Sequence, residues 1–285
     1  MKPYYITDSF LHQFIAAALT EDVGDGDHPS LAAIPETARS KARLLVKEGG
    51  ILAGIDMATE IFSAVDANLK VTILIQDGQP VKYGDIALTV EGKSRSILTA
   101  ERLVLNCMQR MSAIATKTAF LVDLIKGTAA QILDTRKTTP NFRLLEKWAV
   151  LIGGGKNHRI GLYDMIMLKD NHIDMAGGIQ QAIVRTKDYL RATKRDLKIE
   201  IETRNLGEVQ QVIDIGGIDI IMLDNMSVDD MRKAVAMIGG KYKTEASGGI
   251  TESTIRSVAE CGVDFISVGA LTHSVKSLDL SLKAF

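Results

Sequence analysis

What constrains this chain most is a change of rhythm after Gly127, where strand-like apolar runs begin to alternate with helix-length segments. The runs end at Asp134, Lys169, Glu202, Asp224, Ala246 and Gly269. Such alternation makes a parallel sheet whose strands are joined by covering helices, and a closed or nearly closed barrel is its natural layout. Six runs fall short of a full eight-stranded barrel, so an incomplete or irregular barrel is expected, with room for one further strand. Before Gly127 the punctuation differs. Residues 41–92 read as short β-prone runs at 42–46, 71–75 and 86–90, broken by Gly49-Gly50 and by Asp77-Gly78-Gln79-Pro80, which predicts a small sheet domain. An amphipathic segment at 8–19 precedes it. A long helix is expected after Thr99, read as its N-cap with Glu101 in the first turn, and should bridge the two halves.

The length of 285 residues supports two moderate domains. With 24% charged residues, 46% hydrophobic residues and a net charge of -1, the chain has no global attraction for nucleic acid or membrane. No window reaches the roughly 20 apolar residues of a membrane helix, and the start does not read as a signal peptide. Cys107 and Cys261 lie in apolar patterned segments without ligand-like spacing, so they are expected to fill core, as suits a reducing cytoplasm.

In a parallel barrel every strand end faces one rim, where active sites of this architecture are built. A single polar strand end is ordinarily just the start of a loop, but six of them converge. The rim would carry Arg136, Lys137, His158, Arg159 and Lys169 together with carboxylates at Glu202 and Asp224. Guanidinium groups bind carboxylate or phosphate through paired hydrogen bonds, so this set suits a compact dianion beside a phosphate ester. Ser247-Gly248-Gly249 and Val268-Gly269-Ala270 follow late strands, where free backbone N–H groups commonly hold phosphate. Gly153-Gly154-Gly155 lacks the Gly-Lys-Ser/Thr ending of a nucleotide P-loop.

These residues resemble the quinolinate phosphoribosyltransferase family, also called carboxylating nicotinate-nucleotide pyrophosphorylases. The matching motifs run in family order along nearly the whole chain. They are Glu101-Arg102, Leu105-Asn106, Asp134-Thr135-Arg136-Lys137-Thr138-Thr139-Pro140, Gly153-Gly154-Gly155, Asn157-His158-Arg159 and Lys169-Asp170-Asn171-His172. Glu200-Ile201-Glu202, Leu223-Asp224-Asn225, Glu245-Ala246-Ser247-Gly248-Gly249 and Val268-Gly269 complete them. The resemblance implies an N-terminal open-faced α/β sandwich over residues 1–112 and a C-terminal irregular α/β barrel over 113–285, with the extreme C-terminus packing back on the first domain. It implies a homodimer that completes its active sites across the interface, with Arg102 supplied by the neighbouring subunit.

Arg136, His158, Arg159 and Lys169 would bind quinolinate, Thr135 would be a further substrate-binding residue, and Lys137 would lie nearer the phosphate of phosphoribosyl pyrophosphate. Glu202 and Asp224 would surround the ribose and Mg²⁺, holding the metal directly or through water, and with Lys137 and Lys169 they form the expected catalytic set. Ser247, Gly248, Gly249, Val268, Gly269 and Ala270 would cradle the 5'-phosphate, while His273 either reaches that phosphate or is structural. The interval from Glu202 to Asp224 is one residue longer than the family pattern, which leaves Glu200 as an alternative to Glu202. Both project to the same face of a strand. Two other functions stay open: a related phosphoribosyltransferase or pyrophosphorylase with another acceptor, and a noncatalytic binder of phosphoribosyl metabolites.

Overall fold

The computed structural model describes residues 2–285. The chain opens with α1 (Asp8–Val23), whose Thr7 N-cap accepts the Phe10 N–H at 3.1 Å, and α2 (His28–Ala33), capped by Asp27. Next come β1 (Arg39–Val46), β2 (Gly50–Ile51), α3 (Ile55–Val65), β3 (Lys70–Ile73), β4 (Pro80–Val81), β5 (Ile86–Lys93) and the long α4 (Ser94–Leu124). β6 (Gln131–Leu133), α5 (Arg143–Ile152), β7 (Ile166–Leu168), α6 (Asp170–Ala176) and α7 (Ile179–Thr193) continue the chain. Strand–helix alternation then runs through β8 (Ile199–Thr203), α8 (Leu206–Ile215), β9 (Ile220–Asp224), α9 (Val228–Ile238), β10 (Lys243–Ser247) and α10 (Ile255–Ala259). β11 (Phe265–Ser267), α11 (Ala270–His273) and β12 (Leu280–Ala284) end it.

Two compact units result. The first runs from the N-terminus to Ala119 and includes Thr138–Gly154 and Leu271–Phe285. Its sheet is antiparallel in the order β12-β1-β5-β3, and β2 pairs with β4 separately. Along β1, Ala42, Leu44 and Val46 are buried while Arg39 and Lys41 are exposed, the alternation of a sheet with one wet face. α3 buries Ile55, Met57, Ala58, Ile61 and Phe62, a helical stripe that fills this unit's core.

The second unit, Phe120–Lys137 with Gly155–Ala270, holds all six parallel strands in the order β6-β11-β10-β9-β8-β7. That order places the first strand of the unit beside its last, so the sheet curls into an incomplete α/β barrel. A single-residue parallel bridge, Lys156 with Leu133, flanks β6 and marks the place of a further strand. One residue has no periodicity, so no sequence pattern could announce it.

The start of α4 differs from expectation. It begins at Ser94, directly after β5, and Thr99 lies inside it. The Thr99 hydroxyl donates to Asp27 Oδ2 at 2.9 Å and back to the Arg95 carbonyl at 3.0 Å, the behaviour of a threonine within a helix rather than at its cap. Cys107 and Cys261 are both buried free thiols, and burial raises the Cys107 thiol to about 12.

Candidate active site

The rim is built outward from Asp134, which follows β6 and is fully buried. Its carboxylate accepts the Asn157 side-chain amide at 2.6 Å and the His158 backbone N–H at 2.9 Å. One carboxylate thus fixes the Asn157-His158-Arg159 segment against the end of β6. Beyond it, Thr135 Oγ1 accepts the Lys137 N–H at 3.0 Å, a tight local turn that leaves Lys137 exposed and Arg136 half-buried.

Arg159 is 8% exposed and donates to the Met165 carbonyl at 3.3 Å. Burial, then the neighbouring Arg136 guanidinium, depress its basicity, while Glu200, Asp164 and Glu202 act to raise it. Two arginines and the two carboxylates of one strand therefore share one electrostatic neighbourhood. Lys169, at the end of β7, donates to Glu202 Oε1 at 3.2 Å, and the Asp170 N–H reaches Glu202 Oε2 at 3.1 Å. The His172 ring accepts the Lys169 N–H at 3.0 Å and so caps the first turn of α6.

Glu200 and Glu202 stand in β8, where all five residues are buried. They divide the work. Glu202 meets Lys169, whereas Glu200 Oε2 lies 2.8 Å from His158 Nε2. His158 Nδ1 accepts the Arg159 N–H at 2.7 Å, so the proton of the neutral ring belongs on Nε2, where it is donated to Glu200. Glu245, inward on β10 and fully buried, places Oε2 3.6 Å from the same nitrogen. Burial raises Glu200 to about 7; burial and then the charge of Glu200 raise Glu245 to about 8. His158, Glu200 and Glu245 have the donor types of a metal site, with one ligand atom from each lying within 4.8 Å of the others. An Nδ1 that accepts a backbone N–H favours a proton over a metal ion at Nε2.

Asp224 ends β9 level with Ser247 of β10, and its Oδ2 accepts the Asn225 side-chain amide at 2.9 Å. Asn225 has a left-handed backbone (φ 53°) and donates its N–H to the Ser247 carbonyl at 2.9 Å. Its amide packs where a Cβ on Gly248 would stand, and Gly248 itself has φ 90°, so only glycine fits that turn. β11 runs parallel beside β10, and Val268 donates its N–H to the Leu133 carbonyl at 3.0 Å, which fixes the start of the Val268-Gly269-Ala270 turn.

The second unit thus gathers Thr135, Arg136, Lys137, His158, Arg159, Lys169, Glu202, Asp224, Ser247, Gly248, Gly249, Val268, Gly269 and Ala270. Arg102 and His273 belong to the first unit. Both are exposed, and His273 Nδ1 lies 2.6 Å from Ser274 Oγ. Glu245 opens the Glu245-Ala246-Ser247-Gly248-Gly249 stretch, whose chemistry in the sequence lies in the glycine turn that follows it. The available signal was a carboxylate inside a strand otherwise destined for the core.

A curled parallel sheet with cations, carboxylates and glycine turns gathered at its strand ends defines an α/β-barrel enzyme with a strand-end site for anionic substrates. The description "Quinolinate phosphoribosyl transferase, N-terminal domain" matches residues 27–112, and its C-terminal counterpart matches residues 114–283. The chain belongs to the quinolinate phosphoribosyltransferase family. It is 49% identical over 284 residues to quinolinate phosphoribosyltransferase [decarboxylating] 1 of Nicotiana glauca, covering 94% of this chain and 81% of that one. The probable nicotinate-nucleotide pyrophosphorylase [carboxylating] of Synechocystis sp. is 41% identical over 99% of this chain and 94% of its own length. Among solved structures, NadC from Streptococcus pyogenes superposes with a TM-score of 0.92 at 39% identity, covering 98% of this chain and 99% of that one.

Proposed function

We propose that this chain is a decarboxylating quinolinate phosphoribosyltransferase, which joins quinolinate to phosphoribosyl pyrophosphate and yields nicotinate mononucleotide, pyrophosphate and carbon dioxide for NAD biosynthesis. The observation that carries the reading is the joint placement of Arg136, Arg159 and Lys169 with Glu202 at the strand ends. A dianion needs several cations, and a ribose that becomes cationic needs a carboxylate.

Arg136, Arg159 and Lys169 bind and orient the pyridine dicarboxylate on this reading, with Thr135 beside them. His158 is held by Glu200 and Asp134 and accepts the Arg159 N–H at Nδ1, so it sets the position of Arg159 beside the acceptor. Lys137 and the glycine turns bind the phosphate groups, with His273 an additional candidate. Glu202 is preferred to Glu200 as the carboxylate beside the ribose, because it lies nearer the strand end and meets Lys169.

Glu202, one residue before the end of β8, and Asp224, at the end of neighbouring β9, offer only oxygen donors, which fits Mg²⁺ held with substrate phosphates and water. When bound, the ion would neutralise charge on the departing pyrophosphate. The residues of the chain hold the pyridine nitrogen against C1 of the ribose, stabilise positive charge there and exclude water. Once the ring nitrogen carries the ribose it is positively charged, and it accepts the electron pair left by the departing carboxylate carbon.

Arg102 is exposed on α4, which suits a residue offered to a partner's site in a two-fold dimer. Among the described residues no helix is long and apolar enough to cross a membrane. Two buried free thiols accord with a reducing cytoplasm. The test is to incubate purified protein with quinolinate, phosphoribosyl pyrophosphate and Mg²⁺. Nicotinate mononucleotide and pyrophosphate should form in equal amounts. Tight binding of both substrates without either product would support the noncatalytic alternative instead.

A further inference from the structure

One buried ion pair in the first unit lies outside every family motif quoted above. Glu146, in the first turn of α5, is fully buried, and Arg110 of α4 has a side chain only 24% exposed. Arg110 Nε and Nη2 both donate to Glu146 Oε1, at 3.0 and 2.8 Å. The remaining capacity of both partners is spent on backbone and turn. Glu146 Oε2 accepts the Thr139 N–H at 3.1 Å, and Oε1 also accepts the Thr139 hydroxyl at 2.9 Å. Arg110 Nη2 donates to the Thr272 carbonyl, and Nη1 reaches the Val275 carbonyl at 3.5 Å.

The pair therefore ties four stretches of chain together: α4, α5, the Thr138-Thr139-Pro140 turn and the segment 272–275. The turn matters most for chemistry, because it directly follows Lys137. Burying an ion pair is a poor way to gain stability, because desolvating both charges offsets their attraction, and apolar replacements of similar volume are often neutral or better. A pair that also satisfies four backbone or hydroxyl groups fixes geometry instead.

We infer that Arg110 and Glu146 are positioning residues for the phosphoribosyl side of the reaction: they set the turn directly after Lys137. The inference rests on the functional reading above, which assigns Lys137 to that side. Arg136 is less affected, because it lies a residue further from the turn, next to the local bond between Thr135 and the Lys137 N–H.

The deciding variant is the apolar pair Arg110→Met with Glu146→Leu, measured beside Glu146→Gln and Thr139→Val. The apolar pair should keep a cooperative thermal transition near that of wild type, while KM for phosphoribosyl pyrophosphate rises roughly thirty- to a hundredfold, as expected when a binding group is misplaced by about an ångström. Quinolinate affinity by calorimetry should change less than about threefold, since its cations are anchored elsewhere. Glu146→Gln keeps an acceptor for Thr139 and should raise that KM far less than the apolar pair does. Should the apolar pair fail to fold, Thr139→Val decides, since it removes only the hydroxyl contact; its KM for phosphoribosyl pyrophosphate should rise severalfold without a change in thermal midpoint. A folded apolar pair, or failing that Thr139→Val, with wild-type KM overturns the inference. A wild-type chain that neither binds phosphoribosyl pyrophosphate nor forms product overturns the functional reading, and this inference with it.

Discussion

Strands β1 and β8 use charge in opposite ways. In β1, Arg39 and Lys41 face water, and Lys41 meets Glu91 across the sheet at 2.9 Å with both side chains about half exposed. In β8 the carboxylates of Glu200 and Glu202 lie in a strand buried along its whole length. A solvated charge costs little to keep and contributes little. A buried carboxylate must be compensated by cations, hydrogen bonds or a proton. β8 uses all three: Lys169 and the Asp170 N–H at Glu202, His158 at Glu200, and raised proton affinity at Glu200. The first unit follows the pattern of a stable sheet, and the second departs from it where chemistry is to be done.

The largest effects should come from the rim. Arg136→Ala and Lys169→Ala are each expected to weaken quinolinate binding by roughly ten- to a hundredfold, the loss of one charge-assisted hydrogen bond, with phosphoribosyl pyrophosphate binding much less affected. Calorimetry with each substrate separately would reveal it. Equal losses for both substrates would mean that these cations do not distinguish acceptor from donor.

A smaller effect concerns pH. Glu200 and Glu245 hold protons in the folded chain up to about 7 and 8, well above the 4.5 of an ordinary glutamate, so unfolding releases protons across that interval. Their contribution to stability is complete below about pH 4.5 and is lost as pH rises through 7 to 8. Urea midpoints should accordingly fall between pH 5.5 and 8.5, and Glu245→Gln should flatten the fall. A variant that retained the full wild-type slope would place the cause elsewhere. At the bottom of the scale, Lys41→Ala should change neither turnover nor urea midpoint beyond error, because both partners of that pair stay solvated.

The difference between the units also explains what could be read from sequence. Each strand of the barrel is a short apolar run that stops on Asp, Lys, Glu or Gly, so the ends of β6 to β11 were legible and the rim residues with them. Thr99 misled because a hydroxyl suited to capping is equally able to bond its own preceding turn, and only the contact with Asp27 shows which it does. Arg110 and Glu146 are 36 residues apart, and no local pattern links them. The choice between Glu200 and Glu202 was invisible to alternation, since both point inward; it appears only when His158 and Lys169 take separate partners.

Carbon dioxide release from quinolinate labelled only in the carboxyl next to the ring nitrogen reports on the order of events at that nitrogen. With Mg²⁺ present, label should be released only after phosphoribosyl pyrophosphate is added, one carbon dioxide for each nicotinate mononucleotide formed. Release without the ribosyl donor, or pyrophosphate formed without release, would contradict that order.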